Sequence, residues 1–281
     1  MGLRDKLTTY ATPERLLEWF IASNLAFLGA DIVIAHAVNA FRRSEEWIPI
    51  FFSIAAALIC LPGLFSERAA RAMRKPTLAV GAIAILVGSA GMIYHLQSSF
   101  FAERTLRSLV YAAPFIAPLS YVGVGLLLVL ARLERPGSSE YAEWILLLAL
   151  GGFIGNFGLS LSDHAQNGFF AHAEWIAVIA SAFAVSFLGM TLVRRDDRFL
   201  LRITYGVMIA EVVVAVLGFV LHNRANLDRA AASLVDRMIF GAPVFAPLLL
   251  ADLAALAGIG FLARARRAAR AGASSHPAPP Y

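Results

Sequence analysis

The sequence predicts an all-α, polytopic integral membrane protein: eight transmembrane helices in two tandem four-helix repeats, related by a pseudo-two-fold along the membrane normal. Three observations predict it. Hydrophobic residues make up 59 % of the 281 positions and charged residues only 15 %, against roughly 25 % charged residues in an ordinary soluble domain. The apolar residues fall in eight long blocks, near 17–41, 46–66, 77–97, 107–133, 141–165, 174–193, 199–222 and 235–263. Each approaches the roughly 20 residues a helix needs to cross hydrocarbon while satisfying its own backbone. Finally, "HAVNAFRRSEEWI" (36–48) is answered by "HAQNGFFAHAEWI" (164–176). His36, Asn39, Phe41, Glu46, Trp47 and Ile48 thereby match His164, Asn167, Phe169, Glu174, Trp175 and Ile176 without a gap.

The blocks, numbered here as spans 1 to 8, each carry a reason for their assignment. Span 1 is too long for a signal-peptide core and contains Glu18 and Asp31, so it reads as an uncleaved first helix. Span 2 opens on Glu46-Trp47 and holds the lone cysteine, Cys60, which excludes an intrachain disulfide and reads as a small buried apolar residue. Span 3 ends on "GMIYH" (91–95), and span 4 begins with "LVYAAPFIAPL" (109–119). Span 5 ends on His164, and span 6 opens on Glu174-Trp175. Span 7 carries Glu211 and ends on "GFVLH" (218–222); span 8 begins with "MIFGAPVFAPL" (238–248) and carries Asp252. Three matched motifs in one order give units at 1–135 and 136–263, and because four is even both cross the membrane in the same sense. Residues 264–281, basic and then rich in Ala, Ser and Pro, read as a disordered cytoplasmic tail. The connections 96–108 and 223–237 mix apolar and charged residues in the manner of short helices on the membrane surface.

Charge sets the orientation. Seven arginines, Arg42, Arg43, Arg104, Arg107, Arg224, Arg229 and Arg237, fall on one side, and the other 17 of the 24 Lys and Arg fall on the opposite side with both termini. The positive-inside rule then makes both termini cytoplasmic, in what reads as a bacterial inner membrane. The net charge of +5 is accounted for by topology and anionic lipid, so the bilayer is the implied partner and nucleic acid is not.

In this topology His36, His95, His164 and His222 end the four outward-running spans and share one level at the extracytoplasmic face. Glu46 and Glu174 open spans on that same face. Pro114, Pro118, Pro243 and Pro247 occupy the outer third of spans 4 and 8. Each proline lacks an amide donor, frees the carbonyl four residues earlier and is expected to bend its helix. A freed carbonyl at membrane depth persists only where protein, water or a ligand satisfies it. For Glu18 and Glu143, on the cytoplasmic side, complementing a helix dipole beside an interfacial Trp is explanation enough. Asn39 and Asn167 read as helix-end caps. His172 and His276 have no repeat partner and receive no role.

Imidazole is the commonest metal ligand and also carries protons. The pattern therefore points to a membrane redox or metal-handling protein, as an oxidoreductase if it is an enzyme. The four histidines would bind haem or a transition ion (iron, copper or zinc), and Glu46 and Glu174 would complete or tune the site. Gly91 and Gly218, one turn before His95 and His222, would let a flat ring such as a porphyrin approach the backbone, or simply allow close helix packing. A quinone or another membrane redox partner suits this reading. The alternatives are a proton-coupled carrier, with Pro-kinked helices as gates and Glu211 and Asp252 as proton carriers, or a structural subunit whose histidines bond across helices. Haem A synthase is similar in architecture, with a His pair in each of two four-helix halves. There, however, a Glu precedes the first His by one turn; here the Glu follows it by ten residues, and no residue roles are transferred.

Overall fold

The computed structural model describes residues 12–274; their regular structure is entirely helical, with irregular connections and no strand among them. Seven helices are long and apolar enough to cross a membrane. They are α1 (Pro13–Ala37), α2 (Ile48–Phe65, entered through a 3-10 turn at Ser44–Trp47), α4 (Arg74–Leu96), α8 (Ser139–Gln166), α9 (Glu174–Val193), α10 (Arg198–Asp228) and α12 (Leu248–Ser274). The chain is thus a membrane protein, and large side chains such as Leu86 (68 % exposed) and Ile209 (66 % exposed) face outward in mid-helix, where only lipid makes such exposure favourable. Between them lie the short helices α3 (Glu67–Ala72), α5 (Phe100–Glu103), α6 (Leu106–Val110) and α11 (Leu234–Ile239). Local sequence explains the boundaries. Pro13 opens α1 behind Thr12, whose hydroxyl accepts from the Arg15 amide at 3.3 Å, as N-cap and N1 chemistry requires.

Three expectations change. Span 4 is the 15-residue α7 (Leu119–Leu133), about 22 Å at 1.5 Å per residue, shorter than a typical hydrocarbon core of about 30 Å. The cause is the proline pair. Pro118 and Pro247 do not kink the helices of spans 4 and 8; those helices, α7 and α12, begin immediately after them, at Leu119 and Leu248. A proline disfavours helix in the residue before it but is welcome at a helix start. The segments 111–118 and 240–247 are therefore irregular and closed by tight turns, such as Leu119 N to Ile116 O at 2.9 Å and Leu248 N to Phe245 O at 2.9 Å. At the other end, α12 continues through Arg264–Arg270 to Ser274, because Ala and Arg are strong helix formers. The tail expected to be disordered is helical that far. Residues 1–11, with Arg4 and Lys6, and 275–281, with His276, lie outside the described residues.

Packing follows one plan twice. In the first half α1 contacts α2 and α7, and α4 contacts α2 and α7; in the second α8 contacts α9 and α12, and α10 contacts α9 and α12. The halves meet through α7 on α8 and α12 on α1, with α6 on α8 and α11 on α1 beside them. Their shared interior is filled by Leu17, Ile21, Leu25, Leu127, Ile145, Leu146 and Phe153, all at most 2 % exposed.

Away from the histidines, each half is fastened by a carboxylate–arginine clamp. The two guanidinium NH groups of Arg132 on α7 grip Glu18 on α1, the second at 2.9 Å. Arg264 on α12 grips Glu143 on α8 through Nε at 3.1 Å and Nη2 at 2.7 Å to both oxygens. The four side chains are only 10–25 % exposed, so either charge left alone is poorly solvated. Bidentate Arg–carboxylate geometry is strong, and a half-broken buried pair is far worse than no pair. We predict that Arg132→Met lowers unfolding stability in detergent by about 3 kcal/mol, while Glu18→Met/Arg132→Met recovers most of that loss. Equal losses in the single and double variants would contradict the clamp.

Candidate functional site

The sequence-predicted histidines come together as two pairs at one end of the bundle. The His36 and His95 ring centroids are 6.3 Å apart, and those of His164 and His222 are 6.4 Å apart. Gln166 at the end of α8 donates to Val110 O, at the end of α6, at 2.7 Å, which holds the second pair's end of the bundle against the first half. No ring contact links one pair to the other among the described residues.

Each imidazole presents its Nδ1 to an oxygen. His95 Nδ1 lies 2.8 Å from Pro114 O, and His222 Nδ1 lies 2.7 Å from Pro243 O. A carbonyl can only accept, so Nδ1 carries a proton, and in the neutral ring Nε2 is then the nitrogen that holds the lone pair. The accepting carbonyls are the ones to which Pro118 and Pro247, four residues later, cannot donate, and Pro114 O also accepts from Ala117 N at 3.2 Å. His36 Nδ1 faces the backbone carbonyl of Glu46 at 3.4 Å. His164 Nδ1 faces the Glu174 carboxylate at 3.5 Å, beyond hydrogen-bond geometry, so Glu174 Oε2 stays buried without a hydrogen-bond partner, as does Glu46 Oε2. The Glu46 carbonyl oxygen and Glu174 Oε2 occupy the Nδ1 side of His36 and His164, the position from which an acceptor orients a ligating imidazole.

The glycines serve this arrangement directly. A Cβ at Gly91 would stand 2.9 Å from Pro118 Cβ, and one at Gly218 would stand 2.8 Å from Pro247 Cβ. The second proline of each motif seats on the glycine, and one turn later the histidine meets the first proline's carbonyl. The flat group at these glycines is a proline ring, which fills the backbone face that the haem reading left for a porphyrin.

An aromatic stack that sequence reading missed supports the other histidine of each pair. Phe41 stacks on Trp47 at 4.4 Å and stands 6.3 Å from His36; Phe169 stacks on Trp175 at 4.0 Å and stands 6.1 Å from His164. Both phenylalanines adopt left-handed backbone, φ 50° and 53°, which a side chain of that size tolerates only when its surroundings hold it there. In sequence, the only trace is the repeated Phe and Trp in the motif. Asn167 behaves as a cap, its Oδ1 accepting from Phe169 N at 3.0 Å. Asp163, also passed over, lines a cavity of about 10 Å³ between the halves with Ser162, Gln166 and Pro114.

The intramembrane acids separate. Asp252 accepts from Asn24 Nδ2 at 3.0 Å and so ties α12 to α1 across the halves. Glu211 is 1 % exposed, and neither carboxylate oxygen has a hydrogen-bond partner. No hydrogen bond joins the two. Among the described residues, no group of three or more His, Cys, Asp or Glu side chains is arranged to hold a metal ion; what each half offers is two imidazoles.

Gly91→Ala and Gly218→Ala are each expected to lower stability by about 1–3 kcal/mol through the clash with proline. Gly123→Ala on α7, whose Cβ would meet nothing within 4 Å, should instead raise it by up to about 1 kcal/mol. Thermal unfolding in detergent measures both signs, and a stabilised Gly91→Ala would remove the proposed seat. Comparison of the chain with protein-family models, with curated proteins and with solved structures finds no match.

Proposed function

We propose that this chain is a membrane redox or metal-handling protein that holds a transition ion or haem iron through the Nε2 atoms of His36, His95, His164 and His222. It would be built as two tandem four-helix units with eight crossings, both termini cytoplasmic and the histidine end extracytoplasmic. One observation carries the reading: all four Nδ1 atoms face an oxygen within 3.5 Å, and the rings stand in pairs. A structural imidazole has no need to reserve its second nitrogen, whereas a ligating one is oriented in this way. Glu46, through its backbone carbonyl, and Glu174, through its carboxylate, act here as groups that orient the rings in front of them. A bound iron or copper would supply one-electron chemistry, and a lipid-soluble quinone is the kind of partner such a site could serve.

Glu211 favours a second reading. A carboxyl 1 % exposed and without a hydrogen-bond partner is costly in a bundle interior and commonly marks a proton site in a carrier. Elemental analysis and a visible spectrum of the detergent-purified protein separate the two. The metal reading expects iron, copper or zinc at stoichiometric level, or a Soret band, falling at least tenfold in His36→Asn/His164→Asn. A blank wild type, together with proton-driven uptake in vesicles that Glu211→Gln abolishes, would replace it with the carrier.

A further inference from the structure

We infer that the chain carries two separate and inequivalent metal centres, one in each half, and that in each the two imidazoles bind from opposite sides of the metal. The inference rests on the metal-binding reading above and adds its number, geometry and ligand class. Ring contacts occur within each half, at 6.3 Å and 6.4 Å. A metal–imidazole bond is about 2.0 Å, and a ring centroid lies about 1.2 Å behind its coordinating nitrogen, so two opposed imidazoles on one metal put their centroids about 6.4 Å apart. Tetrahedral ligands would bring the centroids to about 5.2 Å on the same bond lengths. Both pairs match the opposed arrangement. That class includes the axial pair of a haem iron and a two-coordinate cuprous ion; it does not include a structural zinc site, which takes four ligands in tetrahedral array.

The centres differ in what stands behind one ligand of each. In the first half the oxygen facing His36 Nδ1 belongs to a neutral backbone carbonyl, that of Glu46. In the second, the oxygen facing His164 Nδ1 belongs to the Glu174 side chain, itself only 10 % exposed. An anionic carboxylate behind an imidazole makes it a stronger donor than a carbonyl does, so His164 is the stronger donor of the two repeated histidines and Glu174 sets the second centre apart. The other ligand is held in both by a proline carbonyl, that of Pro114 or of Pro243.

The test is a count. Metal-depleted full-length protein in detergent is titrated with cuprous ion against a chromophoric competitor and, in a parallel sample, with haemin. His95→Asn and His222→Asn are compared with wild type. The Asn amide nitrogen overlays Nδ1 and keeps the donor to the proline carbonyl while deleting Nε2; His36→Asn and His164→Asn provide the same count from the opposite ring, should either first variant fail to fold. Wild type should bind two equivalents of one of the two probes, each single variant one, and His95→Asn/His222→Asn none. Glu174→Gln should weaken one of the two equivalents at least tenfold and leave the other. One equivalent in wild type, lost in both single variants, would show a shared centre and overturn this inference while leaving the metal reading intact. No binding of either probe by wild type would overturn both.

Discussion

Two proline carbonyls that meet histidines govern the histidine end of this molecule. Pro118 and Pro247 cannot donate to Pro114 O and Pro243 O, and in an apolar setting an unsatisfied carbonyl costs several kcal/mol. Pro114 O accepts from Ala117 N at 3.2 Å, and His95 and His222 donate to the two carbonyls at 2.8 Å and 2.7 Å. That bond fixes the tautomer and the ring orientation, and it turns the remaining nitrogen into a free lone pair. Gly91 and Gly218 exist at their positions so that the second proline can come close enough for the bond to form. The proline segment, the glycine and the histidine are parts of one device, and α7 and α12 begin where they do because of it.

The bundle divides its tasks between its ends. Arg132 with Glu18 and Arg264 with Glu143 close the far end of each half with largely buried ion pairs, while the histidine end is held by hydrogen bonds to backbone carbonyls, including those from Arg229 and Arg237, and by aromatic stacks. The halves also differ. Glu211 and Asp252 stand where motif alignment places Ala84 and Gly123 in the first half. Asp252 ties the two halves together through Asn24, and neither carboxylate oxygen of Glu211 has a hydrogen-bond partner.

Much of this was legible in the sequence. The all-helical membrane class followed from block length and composition, and repeated motifs at matching positions pointed to His36, His95, His164 and His222 as one set, although not to whether they form two pairs or a single cluster. The freed carbonyls were foreseeable from proline chemistry, although the helix was expected to bend through the prolines and instead starts after them. Spacing alone does not distinguish a kink from a new N-terminus, because both satisfy the missing amide. The clamps were missed for a different reason: Glu18 and Arg132 lie 114 residues apart, and only the tertiary arrangement of α1 and α7 brings them together. The left-handed Phe41 and Phe169 left no local signal either, since φ is imposed there by stacking on Trp47 and Trp175 rather than by a glycine at the same position. The glycines before His95 and His222 were visible, but what lies against them is a proline more than 20 residues away.

The central claim is that the proline carbonyls hold His95 and His222 as Nδ1-protonated rings with Nε2 available. Histidine-selective nitrogen-15 NMR of the metal-depleted protein, assigned with His95→Asn and His222→Asn, tests it most directly. Both rings should show a protonated Nδ1 and an Nε2 shift characteristic of an unprotonated nitrogen, and addition of the bound metal should move the Nε2 signals alone. Protonation at Nε2, or a metal-induced change confined to Nδ1, would contradict the account.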